Sequence, residues 1–204
     1  MSMRKVAFSL LGLIVLCGSA LAADEFKIDP GHSSVGFSVR HMTISTVHGR
    51  FNDYSGTIVF DPDPTKCSVN VTIKTASVNT DNQNRDNDLR SPNFFDVQKY
   101  PEITFQSKSV AKKGDSWVAH GTLTIHGVSK DVDLPFTLSG PVSMGRGKRL
   151  GSEAGLTINR QDYGLNYSKT LDNGGLLVGN DVKIEITIEA QQAPAAPPAA
   201  TPGK

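Results

Sequence analysis

The strongest constraint on the fold is an alternation of apolar and polar residues that recurs along most of the chain. The clearest run covers residues 181–189, where valine or isoleucine fills every even position and a polar residue fills every odd one. A period of two is typical of β-strands that have one buried and one solvated face. Similar runs contain Val35, Phe37 and Val39; Val69, Val71 and Ile73; Ile103 and Phe105; Leu123 and Ile125; Leu134, Phe136 and Leu138; and Leu156 and Ile158. The sequence therefore predicts an all-β protein.

Short segments rich in glycine, proline, asparagine and aspartate separate these runs, at residues 61–64, 113–115, 145–147 and 172–175. These residue types favour tight turns. We count about eight strands, and short connections between them predict antiparallel pairing in a sandwich or a barrel. A closed eight-stranded barrel has no exposed edges, and its interior is either filled or holds one ligand.

Residues 81–100 do not follow the alternating pattern. This connection is long, and Leu89, Phe94 and Phe95 stand among polar residues. We predict a short helical segment here. A long connection that keeps three bulky apolar residues is typical of a lid or plug rather than of a disordered loop.

The first 22 residues have the layout of a secretory signal peptide. Arg4 and Lys5 precede an apolar run over residues 6–16, and Ala20-Leu21-Ala22 matches the small-residue pattern before a cleavage site. A membrane anchor is the competing interpretation, but a spanning helix needs roughly 20 apolar residues. We therefore predict export with cleavage after Ala22, no membrane span in the mature chain, and a periplasmic protein.

Cleavage would change the cysteine content and the net charge. Cys17 leaves with residues 1–22, so Cys67 remains alone and cannot form an internal disulfide. Cys67 is either a reactive or intermolecular thiol or, as we favour, an incidental half-buried residue. The whole chain has 21 basic and 20 acidic residues, so loss of Arg4 and Lys5 leaves 19 against 20. A nearly neutral chain has no general attraction to nucleic acid or to anionic membranes, so we predict no nucleic-acid partner.

The far end of the chain differs in composition from the domain that precedes it. Residues 191–204 consist mostly of alanine and proline and offer little to bury. We predict a disordered tail there, and one globular domain over residues 23–190.

Five ordered motifs identify a resemblance that covers roughly Phe26 to Glu189. The chain resembles the YceI family of bacterial periplasmic proteins, which is described as polyisoprenoid-binding and lipocalin-like. The motifs are residues 28–41 (IDPGHSSVGFSVRH), 48–51 (HGRF), 89–97 (LRSPNFFDV, followed by Tyr100-Pro101 and Phe105), 121–128 (GTLTIHGV) and 160–165 (RQDYGL). Tyr163 stands where the family usually has phenylalanine, and the tail after Ala190 has no counterpart in the family pattern.

The resemblance implies an eight-stranded antiparallel, lipocalin-like β-barrel around a long hydrophobic tunnel, often dimeric. Combined with the strand phase, it gives a set of candidate tunnel residues, although each of them could instead be ordinary core. The candidate ligand-binding residues are Phe37, Val39, His41, Phe51, Phe94, Phe95, Phe105, Leu123, Ile125, Phe136, Ile158 and Ile184.

Two of these candidates need a further assumption. His41 either hydrogen-bonds the polar head or quinone carbonyl of a lipid, or is a structural histidine. Phe51 is out of phase with Ile58 and Phe60, which predicts a bulge near residues 55–56.

Catalytic and metal-binding patterns are weak. Asp29, His32 and Ser33 are the residue types of a hydrolase triad, but they crowd one short segment and no G-x-S-x-G motif is present. The five histidines form no tight metal-ligand pair, so we predict no metal site and no catalytic residues.

These observations favour a non-enzymatic function. We predict periplasmic binding, storage or transport of an isoprenoid-type lipid, of the polyprenyl phosphate or quinone class, with no cofactor other than the bound lipid and with a homodimer as the implied assembly. The alternatives are an envelope enzyme that uses Ser33 or Cys67, and a stress-related interaction protein whose barrel is filled.

Overall fold

The computed structural model describes residues 23–145, 147–167, 169–170 and 176–193. The predicted signal peptide, the predicted turn at 172–175 and residues 194–204 of the predicted tail lie outside these ranges. Within them the chain forms eleven β-strands and one α-helix: β1 (Asp24–Ile28), β2 (Ser34–His41), β3 (Ser45–Phe51), β4 (Tyr54–Phe60), β5 (Ser68–Lys74), β6 (Val78–Asn79), α1 (Gln83–Arg90), β7 (Glu102–Lys113), β8 (Ser116–Ile125), β9 (Val128–Met144), β10 (Gly147–Asn159) and β11 (Val178–Gln192).

The eleven strands form a closed antiparallel barrel with eight staves, where a stave is one strand position around the wall. Three staves consist of two short strands each: β1 with β2, β4 with β3, and β5 with β6. β1 and β2 pair with β11 in succession, from Ile28 opposite Ala190 to Val39 opposite Val182. β4 and β3 pair with β1 and β2, and β5 and β6 pair in turn with β4 and β3. The predicted eight-stranded, lipocalin-like barrel is therefore confirmed.

The remaining staves complete the barrel without interruption. β7 pairs with β5 and with β8, and β10 pairs with β11 from Arg149 to Asn159. β9 pairs with β8 over Val128–Phe136 and with β10 over Phe136–Met144. This change of partner is the stagger that closing a sheet into a barrel requires.

The break between β3 and β4 accounts for the change of phase between Phe51 and Ile58, which we predicted at residues 55–56. β4 pairs with β5 in continuous register from Tyr54 to Val59, so no bulge interrupts residues 55–56. The alternation is instead reset at Asn52 and Asp53, the two residues between β3 and β4. The predicted change of phase is present, but the predicted bulge near Ser55 and Gly56 is wrong.

The predicted helical segment begins with α1, which is held by polar caps rather than by an apolar face. The Asn82 side chain accepts a hydrogen bond from the Arg85 amide at 3.1 Å, as an N-cap does. The buried Asp86 carboxylate accepts from the Thr80 amide at 2.8 Å. Arg90 donates to the carbonyls of Ala76 and Val78, at 2.8 and 2.6 Å, which fixes the end of α1 against β6.

The C-terminal strand extends two residues beyond the predicted domain boundary. Gln191 and Gln192 pair with Lys27 and Phe26, so the start of the predicted tail belongs to the barrel wall. The Gln192 amide nitrogen donates to Asp24 at 2.7 Å, which anchors this end of β11. Among the described residues, no α-helix is both long and apolar enough to span a bilayer.

Candidate functional site

An apolar cavity of about 220 Å³ runs through the interior of the barrel. For comparison, an engineered apolar cavity of roughly 150 Å³ holds a benzene molecule. Eleven of the twelve candidate residues surround the cavity: Phe37, Val39, Phe51, Phe94, Phe95, Phe105, Leu123, Ile125, Phe136, Ile158 and Ile184. The alternation therefore identified which side chains face inward, while their role in binding stays a prediction.

His41, the remaining candidate, does not line the cavity. It is the last residue of β2 and pairs with Val178 of β11, whereas Val39 pairs with Val182. Three residues of β11 (179–181) thus lie opposite the single residue Arg40 of β2, which is a bulge in β11. β2 keeps its register with β3 through His41, so His41 shares the phase of Phe37 and Val39 but ends the strand outside the cavity lining.

The segment that follows α1 closes one end of the cavity with aromatic rings. Phe95 packs against Phe51 with ring centroids 5.7 Å apart, and Phe51 lies 5.7 Å from Phe37. Phe94 contacts Tyr167 at 4.9 Å. Leu89, Phe94 and Phe95 all line the cavity, so the three apolar residues that made this connection unusual in sequence occupy the position expected of a plug.

A second aromatic group lines the cavity near its other end, and the candidate set named only one of its members. Trp117 lies between Phe60 and Phe136, with ring centroids 6.4 and 6.1 Å away. Lys112 places its ammonium 5.7 Å from the centre of the indole ring. Trp117 shares the phase of Leu123 and Ile125 on β8, and Phe60 shares that of Ile58, so strand phase could have found both residues.

Arg160 is the single charged side chain among the described residues around the cavity, and it is 3% exposed. Its guanidinium donates to the carbonyl of Leu165, to the carbonyls of Gly179 at 2.9 Å and Val178 at 3.3 Å, and to the Asn180 side chain at 3.1 Å. These acceptors belong to the β11 bulge and to the turn after β10. Burial lowers the pKa of Arg160 from its usual value, but carbonyl dipoles hold the cation in place.

The motif at 160–165 was the only sequence signal for Arg160, because an alternation of apolar residues cannot identify a charged residue that faces inward. Ser152 adds the one hydroxyl that lines the cavity within the described part of the chain. The cavity wall is therefore apolar with a few fixed polar positions, which is the composition of a small-molecule site for an apolar ligand.

Cys67 also faces the cavity but is not arranged as a nucleophile. Its sulfur donates to the Asp61 carbonyl at 3.3 Å and accepts from the Asp61 amide at 3.4 Å. Burial raises the pKa of the thiol, so the unreactive neutral form dominates near neutral pH. This geometry agrees with the interpretation of Cys67 as an incidental half-buried residue.

The Asp29, His32 and Ser33 segment does not form a catalytic triad. The imidazole Nδ1 of His32 lies 3.0 Å from the Asp29 carboxylate. Ser33 instead bonds the backbone of Glu189, accepting from its amide at 3.0 Å and donating to its carbonyl at 3.2 Å. Its hydroxyl therefore joins β11 to the turn before β2 and is not activated by a base.

The same neighbourhood contains three groups with metal-ligand chemistry. Ligand atoms of Asp29, His32 and Glu189 lie within 4.8 Å of one another. Arg149 pairs with both carboxylates, at 3.6 Å from Asp29 and more closely with Glu189. Hydrogen bonds from His32, then from Gln191, lower the pKa of Asp29. Arg149 thus offsets part of the negative charge of the two carboxylates.

Comparison with known proteins places these features in a family. Residues 26–190 match the model of the YceI-like domain. Protein YceI of Salmonella newport is 39% identical over 196 residues, an alignment that covers 94% of this chain and 99% of that protein.

Solved structures share the barrel. The Campylobacter jejuni YCEI protein is 38% identical, with a TM-score of 0.64 and coverage of 76% of this chain and 90% of that one. Burkholderia cenocepacia BcnA matches with a TM-score of 0.70 at 24% identity, over 79% of this chain and 98% of that one. A polyisoprenoid binding domain from Saccharophagus degradans matches with a TM-score of 0.64 at 16% identity, over 84% and 99%. The chain belongs to the YceI family.

Proposed function

We propose that this protein binds an isoprenoid-type lipid inside its barrel and stores or transports it in the periplasm. The observation that carries the proposal is the cavity itself, which is enclosed by strands on all sides and lined almost entirely by aliphatic and aromatic side chains. A site of this composition provides few hydrogen-bonding groups for a polar substrate and a large apolar surface for a hydrocarbon chain. Desolvation of that chain would supply the binding free energy, at about 25 cal/mol per Å² of buried apolar area.

The chemistry of the wall determines which part of the lipid would lie inside. Among the described lining residues only one side chain is charged and one carries a hydroxyl, so the cavity suits the hydrocarbon tail rather than a polar head. We therefore propose that part of the tail occupies the cavity and that the polar end remains near a mouth. The donor groups of Arg160 are mostly taken by backbone carbonyls, which supports a polar end that is not buried beside it.

The comparisons support the isoprenoid class without naming the lipid. The Saccharophagus degradans domain is described as polyisoprenoid-binding and has the same barrel, and relatives at 38–39% identity belong to the same family. Whether the lipid is a polyprenyl phosphate or a quinone depends on its head, which the apolar wall does not distinguish. A binding function rather than catalysis agrees with the bonded hydroxyl of Ser33 and the raised pKa of Cys67.

The experiment that tests this proposal is organic extraction of the protein purified from a periplasmic fraction, followed by mass spectrometry. We expect an isoprenoid lipid in a stoichiometric amount. Delipidated protein should then take up a fluorescent isoprenoid. A barrel that yields no lipid and takes up no probe would support the filled-barrel alternative, and turnover of the probe would support an enzyme.

The same preparation tests export and assembly. The Ala20-Leu21-Ala22 pattern predicts a mature protein that begins at Ala23, which intact mass measurement would detect. Recovery of Met1 from a membrane fraction would contradict the periplasmic assignment. The homodimer implied by the family stays a prediction, and sedimentation velocity on the purified protein would check it.

A further inference from the structure

The turn between β2 and β3 has an unusual composition for its geometry. The Ile44 amide donates to the His41 carbonyl at 3.2 Å, and the two central residues, Met42 and Thr43, have φ angles of 51° and 63°. Positive φ at both central positions defines a type I′ turn, which normally contains Asn-Gly because side chains with a bulky Cβ are disfavoured there. A strained turn built from methionine and threonine requires an explanation beyond chain reversal.

The turn presents apolar side chains to solvent. Ile44 is 78% exposed and Met42 is 36% exposed, and Ile44 is the most exposed large apolar residue in the described part of the chain. A single exposed residue of this kind is ordinary on a protein surface. Two within one four-residue turn form a concentrated apolar tip, which we call the β2–β3 tip and define as residues 41–44.

The β2–β3 tip lies at the rim of the cavity. Val39, two residues before the tip, lines the cavity, as does Val178 on the neighbouring strand. The Met42 amide donates to the carbonyl of Leu177 at 2.9 Å, which joins the tip to the chain beside Val178. A surface that met this tip would therefore also meet the cavity mouth.

Two basic residues lie on segments next to the tip. The Arg40 guanidinium donates to the Thr43 carbonyl at 2.6 Å and to the Thr46 hydroxyl at 3.0 Å, so it braces the turn. Lys169 accepts a backbone hydrogen bond from Leu177 at 2.8 Å and is exposed. Among the described residues of 40–46, 169–170 and 176–182, Asp181 is the one carboxylate.

We propose that the β2–β3 tip docks on a lipid bilayer with an anionic surface, with Met42 and Ile44 in the interface and Arg40 and Lys169 beside the headgroups. Apolar side chains with adjacent cations are the chemistry that binds proteins to such surfaces. A second copy of the chain is a poorer occupant, because a stable protein interface buries at least about 1,000 Å² and two side chains provide much less. Docking at the cavity mouth would let lipid pass between bilayer and barrel, a consequence that rests on the proposed function.

Flotation with vesicles of phosphatidylethanolamine and phosphatidylglycerol tests the docking directly. We expect Ile44→Ser to weaken vesicle binding about tenfold, in line with the loss of one inserted aliphatic side chain. The matched control is Val142→Ser, because Val142 is also exposed but lies on the β9–β10 hairpin at the opposite end of the barrel. Both residues are on the surface, so neither variant should change the thermal melt.

Several results would overturn the docking proposal. They are equal vesicle binding by the wild type and Ile44→Ser, no binding by the wild type, or an equal loss in Val142→Ser. A change of oligomeric state in Ile44→Ser, read by sedimentation velocity, would assign the tip to a second copy instead.

A lipid-uptake assay separates this proposal from the proposed function. A fluorescent isoprenoid is offered to delipidated protein either dispersed from ethanol or embedded in the same vesicles. We expect Ile44→Ser to take up the dispersed probe normally and the vesicle-borne probe several-fold more slowly. Failure of both proteins to take up dispersed probe would refute lipid binding while leaving the flotation result intact. Equal uptake rates from vesicles would refute docking as the route of transfer.

Discussion

Two regions of the barrel interior use the same strands and the same kinds of residue but are packed differently. At the end where β1, β10 and β11 meet, Phe26, Leu150 and Ala190 are at most 1% exposed and do not line the cavity. Farther along β10 and β11, Leu156, Ile158 and Ile184 also point inward, yet they remain half-exposed to the cavity. We call these regions the packed end and the cavity wall.

The difference arises from how side-chain volumes combine across the barrel. In the hydrophobic core at the packed end, the large ring of Phe26 is buried together with the small Ala190, so large and small residues interlock. Along the cavity wall, aliphatic and aromatic side chains from strands around the barrel face one another without filling the centre. Periodicity therefore sets which way a side chain points, while the volumes of residues far apart in sequence decide whether the interior is filled.

The largest expected effect is a loss of stability at the packed end. Phe26→Ala should lower the free energy of unfolding by about 3–5 kcal/mol, because it leaves a void among fully buried neighbours. Phe37→Ala, which enlarges an existing cavity, should cost markedly less. Urea unfolding of delipidated protein would measure both variants. Equal losses would break the distinction between the two regions.

The cavity wall has one position that we expect to be as sensitive as the packed end. Arg160→Met would leave the carbonyls of Val178, Gly179 and Leu165 without their donor. Each unsatisfied buried group costs about 1–3 kcal/mol, so we expect a loss of about 3 kcal/mol in urea unfolding. Arg160→Lys should recover only part of it, because one ammonium cannot reach acceptors arranged around a planar guanidinium. A stable Arg160→Met protein would show that the β11 bulge does not need this residue.

These contrasts define how far the sequence could predict the structure. The alternation on β2, β8 and β11 correctly placed residues such as Val39, Leu123 and Ile184 on the inner face, because the period of a strand is a local property. The predicted bulge at Ser55 and Gly56 missed the phase break at Asn52 and Asp53, although asparagine and aspartate are themselves turn-forming residues.

Other features depend on contacts between distant segments. Arg160 is buried because the β11 bulge, eighteen to twenty residues later, supplies its acceptors. His41 has the inward phase but is the last residue of β2, and strand phase does not show where along a strand the cavity ends. Whether the barrel is hollow could not be read from any one strand, as the cavity volume is set by all eight staves together.

Enlarging a side chain should have a smaller effect than Phe26→Ala or Arg160→Met. At the packed end it should lower stability, and at the cavity wall it should lower ligand uptake instead. Ala190→Leu at the packed end should cost about 1–3 kcal/mol through overpacking. Val39→Trp faces the cavity and should keep a nearly wild-type thermal melt in delipidated protein, while uptake of a fluorescent isoprenoid falls sharply because the ring occupies the ligand's space. Strong destabilisation by Val39→Trp would mean that the wall at Val39 is packed. Normal stability with normal uptake would remove Val39 from the binding site.

The smallest expected effect concerns Cys67, whose thiol can be used to detect bound lipid but contributes little to the stability of the fold. Burial raises the pKa of this thiol, so the neutral form is favoured by folding. The contribution of this thiol to the free energy of unfolding is fully present below the pKa of the unfolded thiol, about 8.5. It is lost as the pH rises through the pKa of the folded thiol. Alkylation by iodoacetamide should therefore have a pH midpoint above that of a free cysteine. Bound lipid should slow the alkylation further, because Cys67 lines the cavity.

The control is Asp115→Cys in a Cys67→Ser background, at an exposed hairpin position, where lipid should not change the alkylation rate. Cys67→Ser itself should shift the free energy of unfolding by less than about 1 kcal/mol. Equal protection of both cysteines by lipid would place the lipid outside the barrel, and no protection of Cys67 would place it away from this part of the wall.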